Sequence, residues 1–199
     1  MSGGWNFGAR KIRVRHSREL FSHLLREFYD AERRFSLGLE EMLRHAADVR
    51  LQGALDAQLA RTGRNLGLLE RLFREVLGGE PEGSICEPAR GILLGARSNV
   101  EGSRLGAVRD YLINRSLLEI QSFEELFFSA LRLAARPAGY EVAELILGDV
   151  GATEEVRAAR ESLHHLSEKI RQTEHPGFIQ RLTGQDYTVP EDDTDTLSR

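Results

Sequence analysis

Apolar residues recur along this chain in alternating steps of four and three, the spacing of one face of an α-helix. The clearest stripe runs Phe21, Leu25, Phe28, Glu32, Phe35, Leu39 and Met42. Six of these seven side chains are apolar and the middle one is a carboxylate. A carboxylate inside an aromatic stripe has to be paired, neutralised or bound to a metal. The pattern predicts a first helix over residues 18–47, with Ser17 as its cap and Arg26, Arg33, Arg34, Glu40 and Glu41 on its solvent face.

A second helix is predicted over residues 49–77, with the stripe Leu55, Leu59, Thr62, Leu66, Leu69, Phe73 and Val76 and a stop at Gly78-Gly79. Residues 80–104 form the longest break, with a short helical piece over 88–97 that offers Ile92, Leu93 and Leu94 for burial. A third helix over 104–135 carries Ile113, Leu117, Ile120, Glu124, Phe127, Leu131 and Ala134, and ends at Pro137 and Gly139. Glu124 repeats the pattern of Glu32. A weaker stripe through Leu145, Asp149, Ala152, Val156, Ala159, Leu163, Leu166 and Ile170 predicts a fourth helix over 140–173, with Gly148 and Gly151 lowering its propensity.

Short loops within each helix pair and a long connection between pairs predict an all-α fold, a four-helix bundle with a long crossover between helices 2 and 3. The bundle spans residues 17–173. A basic arm (1–16) precedes it, and an acidic tail (174–199) follows it. The arm and tail could pair with each other across two subunits, and apolar residues on more than one face of helix 3 make a homodimer or a protein partner the expected association.

Charge and cysteine content narrow the function classes. With 27 basic and 31 acidic residues the net charge is −4, which argues against a general nucleic-acid binder. Cys86 is the one cysteine, so no internal disulfide framework exists and a reducing, cytoplasmic compartment is expected. No run approaches the ~20 apolar residues of a membrane span. Cys86 has no histidine placed by sequence to activate it, which leaves a nucleophilic hydrolase unsupported. His16, His23, His45 and His175 show no ligand spacing.

A di-iron or di-manganese centre in such a bundle takes one inward Glu from each of two helices and a Glu-x-x-His from each of the others. Glu32 and Glu124 meet the first requirement. The second fails: the matching level of helix 2 reads Arg61-Thr62-Gly63-Arg64-Asn65, and helix 4 offers only Asp149. The single Glu-x-x-His, Glu161 to His164, falls near the end of helix 4 and reads as a surface pair.

The residues Glu19-Leu20-Phe21 and Leu25-Arg26-Glu27-Phe28-Tyr29-Asp30-Ala31-Glu32 resemble the opening helix of the YciE/YciF-type ferritin-like domains. Leu68-Leu69-Glu70-Arg71-Leu72-Phe73, Gly78 and Cys86 continue the likeness, which covers about residues 17–170. The resemblance implies a di-metal ferritin-like bundle, often dimeric and linked to stress responses. It places the family's first ligand on Glu32. Its helix 2 ligand stretch falls on Arg61, Thr62 and Asn65, where only the threonine is kept. Its helix 3 stretch falls on Gln121, Ser122, Phe123 and Glu124, where only the last glutamate is kept.

The metal site therefore reads as degenerate, with Glu32, Arg61, Thr62, Asn65, Gln121 and Glu124 as its vestige. No metal or other cofactor is expected, and Arg61 or Arg64 is expected to supply the missing positive charge to Glu32 or Glu124. The function expected is non-catalytic: a structural, stress-related or protein-interaction module. The alternative is a bundle in which Glu32, Glu124 and Asp149 still hold iron or manganese for storage or oxidation.

Overall fold

The computed structural model describes residues 14–104 and 106–148. Five α-helices follow one another along these residues: α1 (Ser17–His45), α2 (Val49–Leu72), α3 (Glu87–Gly102), α4 (Ala107–Ala138) and α5 (Glu141–Leu147). They pack as an all-α bundle. α1 lies against α2 and α4, α3 packs across the outside of α1 and α4, and α5 folds back onto α4 and α2. None of the described helices is long and apolar enough to cross a membrane.

The stripe of α1 is the spine of the core. All seven of its predicted positions, from Phe21 to Met42, are buried. Its rings interlock with those of α4: Phe28 meets Phe128 edge-on at 4.7 Å and Phe35 meets Phe123 at 5.3 Å, geometries that suit the ring quadrupoles. The start of α1 differs from expectation. Ser17 is its first helical residue rather than its cap, and His16 in the cap position makes no side-chain bond. Glu19, in the first turn, accepts the backbone N–H of Arg15 at 2.8 Å and so ties the preceding chain to the helix.

Of the stripe predicted for the second helix, Leu55, Thr62, Leu69 and Phe73 are buried as expected, and Val76 is half-buried. Leu55, Gln58, Thr62, Asn65, Leu69 and Leu72 are buried, and Leu59 and Leu66 are only half-buried at its flanks. Each residue advances a helix by about 100°, so burying 58 and 65 in place of 59 and 66 is a rotation of the seam at those two levels, while Leu55, Thr62 and Leu69 stay central. That rotation sets α2's polar side chains opposite the carboxylates of α1 and α4. α2 widens into a π-helical turn over Phe73–Leu77, and Gly78 closes it at φ +67°, a left-handed cap that favours glycine.

The connection to α3 is tied to the middle of α1. Cys86 N–H donates to Asp30 Oδ2 at 2.9 Å and Ser84 N–H to the Arg26 carbonyl at 3.1 Å. α3 is longer than the predicted piece at 88–97. Burying Ala89, Ala96 and Val100 offsets the low propensity of Gly91 and Gly95, and Pro88 sits in the first turn, where no N–H is needed. Leu94, expected inside, is exposed, while Ile92 and Leu93 are half-buried. Leu93 packs onto Gly38 of α1 so closely that a Cβ there would run into Leu93 Cδ2.

α4 runs past its predicted end to Ala138. Pro137 lies in the last turn, and Gly139 caps the helix at φ +75° with its N–H directed to the carbonyls of Ala135 and Arg136. The predicted fourth helix is seen only as α5, which buries Ala143 and Leu147 and ends at Gly148. Its remaining positions, including Asp149, Glu161 and His164, lie outside the described residues, as do most of the basic arm and all of the acidic tail.

Candidate functional site

Midway along the bundle the aromatic core gives way to a buried polar layer. Glu32 comes from α1, one turn beyond Phe28 and one turn short of Phe35. Gln58, Thr62 and Asn65 come from a single face of α2, and Glu124 comes from α4. All five are buried, the two carboxylates completely.

Glu124 is closely held. Gln58 Nε2 donates to both of its oxygens, at 2.8 and 2.9 Å, and Thr62 Oγ1 donates to Oε1 at 3.2 Å. Arg61, one-third exposed, brings its Nε to 3.4 Å from Oε2, so its guanidinium reaches the charge from the edge of the bundle. Gln121 Nε2 donates to Gln58 Oε1 at 3.2 Å and thereby orients the amide that grips Glu124.

Glu32 is poorly held by comparison. Asn65 Nδ2 donates to its Oε1 at 3.3 Å, and its Oε2 has no hydrogen-bond partner.

Electrostatics follow from these partners. Burial, reinforced by the nearby charge of Glu124, pushes the Glu32 carboxyl up to about 9, against the opposing pull of Asn65 and Arg61. Burial also raises Glu124, opposed by Gln58, Arg61 and Thr62. The consistent assignment at neutral pH is a protonated Glu32 beside an ionised Glu124. Two like charges in one desolvated layer are avoided, and the charge rests on the carboxylate with the donors.

This donor set does not fit a pair of divalent ions. A di-metal centre needs anionic or imidazole ligands at the positions where α2 supplies amides, a hydroxyl and a guanidinium. The guanidinium lies against a carboxylate oxygen that a metal would need. Among the described residues no three His, Cys, Asp or Glu side chains converge.

The layer unites six residues picked out from sequence: Glu32, Arg61, Thr62, Asn65, Gln121 and Glu124. Arg64 is exposed and faces away. Gln58 was missed, although it holds Glu124 more directly than any other side chain. The signal was present: Gln58 stands four residues before Thr62 and seven before Asn65, on one helical face. Of the histidines in the described residues, His16 is exposed and His23 and His45 are half-buried, each beside a glutamate of its own helix, His23 3.3 Å from Glu27 and His45 3.0 Å from Glu41. Cys86 is buried, and burial pushes its thiol up to about 11, which suits packing rather than nucleophilic attack.

Fold and layer together define an all-α bundle built around two buried carboxylates on alternate long helices. Residues 16–175 match the family described as Domain of unknown function (DUF892), and this chain belongs to it. Protein YciF of Escherichia coli (strain K12) is 25% identical over 135 residues, 65% of this chain and 78% of YciF. Among solved structures, YcfI from Rhodopseudomonas palustris superposes with a TM-score of 0.64 at 21% identity, covering 78% of this chain and 94% of its own. The E. coli stress protein YciF superposes with a TM-score of 0.63 at 17% identity, covering 86% and 100%. The likeness first read from α1 is thus that of a YciE/YciF-type protein.

Proposed function

We propose that this chain is a non-catalytic bundle, a structural or protein-interaction module of stress physiology, in which side chains have replaced a di-metal centre. One observation carries the reading: Glu124 is already satisfied by Gln58, Thr62 and Arg61, with the guanidinium standing where a metal's charge would stand. The stress-related part rests on the relation to YciF, which is described as a stress protein. A cytoplasmic location accords with the single cysteine.

The second reading, an iron- or manganese-binding protein with storage or oxidase activity, draws on the unpartnered Oε2 of Glu32. It also needs carboxylates from outside the described residues, such as Asp149.

Elemental analysis separates the two. The full-length protein is expressed with iron and manganese supplied and purified without chelator. The first reading expects well below about one metal per chain, and expects Arg61→Glu combined with Asn65→His to increase it, because metal affinity follows the number of deprotonated ligands. About one or two metals per unmodified chain overturns the first reading. No gain in the double variant counts against it.

A further inference from the structure

α4 carries apolar residues on two opposite faces. One is the core seam through Ile113, Leu117, Ile120 and Leu131. The other is open: Tyr111 is 72% exposed, Leu118 55% and Leu126 38%. Arg115 and Ser122 stand between them, both exposed. These five positions fall within an arc of about 80° and extend along about 22 Å of helix. Tyr111, Leu118 and Leu126 share a hollow of about 560 Å³ with Phe123 and with Ile92 of α3. Contiguous exposed apolar surface of this kind marks an interaction site.

The order of the residues identifies the partner. Read from either end, the row runs apolar, polar, apolar, polar, apolar. Residues 111 and 126 are equidistant from a point between Leu118 and Glu119, and so are residues 115 and 122. A row with that symmetry is complementary to a copy of itself turned about a two-fold axis, as an isologous interface requires. The charges obey the same symmetry. Within one chain Arg115 pairs with Glu119, its Nε donating at 3.0 Å. On two antiparallel helices each Glu119 stands within one turn of Arg115 from both copies. The two intrahelical pairs thereby become a four-charge network across the axis.

We propose that this face of α4 is the interface of a homodimer, in which two copies of the chain pack antiparallel. Leu118 meets Leu118 at the two-fold axis, and Tyr111 of each copy packs against Leu126 of the other. The proposal rests on the outer face of α4 alone and holds whether or not the polar layer binds metal.

Sedimentation equilibrium of the full-length protein tests this, with a dimer expected. Leu118→Arg sits at an exposed position, so the fold is kept, and it enters the interface twice. It should raise the dissociation constant of the dimer about a hundredfold or more. Arg115→Glu and Glu119→Arg should each weaken self-association, because each places four like charges at the axis. An equimolar mixture of these two variants should recover it, because the mixed dimer restores opposite charges across the axis. Neither a different protein partner nor a cover from the same chain predicts that recovery. A monomeric parent, a dimer unaffected by Leu118→Arg, or a mixture that associates no more tightly than either variant alone overturns the proposal.

Discussion

Two layers of the same bundle, stacked along α1, are packed by opposite rules. At Phe28 and Phe35 the rings of α1 meet those of α4 at 4.7 and 5.3 Å, with no polar atom to satisfy. At Glu32, between them, two carboxyls leave water for five protein contacts, four of which go to Glu124. The aromatic layers gain from every Å² they bury. The polar layer recovers only part of its desolvation cost, and buried polar clusters of this kind often contribute less stability than apolar packing of equal volume. Stability and specification therefore come from different floors of one structure.

Five changes sharpen that contrast. The largest effect is expected in the aromatic layer, where Phe28→Ala leaves a cavity and should lower unfolding free energy by about 3–5 kcal/mol in urea titration. Next comes Gln58→Leu, which removes the donor that spans both oxygens of Glu124 and should cost about 1.5–3 kcal/mol by the same measurement. A stabilised variant would mean that Arg61 and Thr62 suffice.

Glu32 supplies a pH signature. Its carboxyl titrates near 4.5 when unfolded and is held up to about 9 in the bundle, so across that window the unfolded chain loses its proton first. Stability should fall as pH rises, by at most ~1.4 kcal/mol per pH unit from this group. Glu32→Gln should flatten the slope and gain on the parent at pH 8 relative to pH 5, and parallel stability profiles would sink the assignment of a protonated Glu32. The smallest effects are expected at two helical glycines. Gly38→Ala pushes on Leu93 and should destabilise, whereas Gly63→Ala, with nothing within 4 Å, should stabilise by about 0.5–1 kcal/mol through helix propensity alone.

The sequence was most readable where one physical term dominated. α1 buries an almost unbroken apolar stripe, so periodicity located every position of its seam, Glu32 included. In α2 the levels of Leu55, Thr62, Leu69 and Phe73 were legible, and two others were placed one residue late because Leu59 and Leu66 outscore Gln58 and Asn65 on hydrophobicity. A polar side chain is worth burying only once its partner is known, and Glu124 lies 66 residues from Gln58. The length of α3 was hidden for a similar reason: its glycines argue against helix, and the tertiary burial of Ala96 and Val100 prevails over them.

The grip on Glu124 also fixes alignment along the bundle axis. α2 carries the groups that hold it, Gln58, Arg61 and Thr62, and α4 brings the anion to be held. Apolar ridges alone permit a helix to slide by one turn, about 5.4 Å, into the next set of grooves. Such a slip would carry Glu124 out of reach of Gln58 and strand a charge among phenylalanines, a penalty of several kcal/mol. The polar layer works as a detent: α4 settles at one notch against the α1–α2 hairpin, and the long crossover has a single depth at which to deliver it.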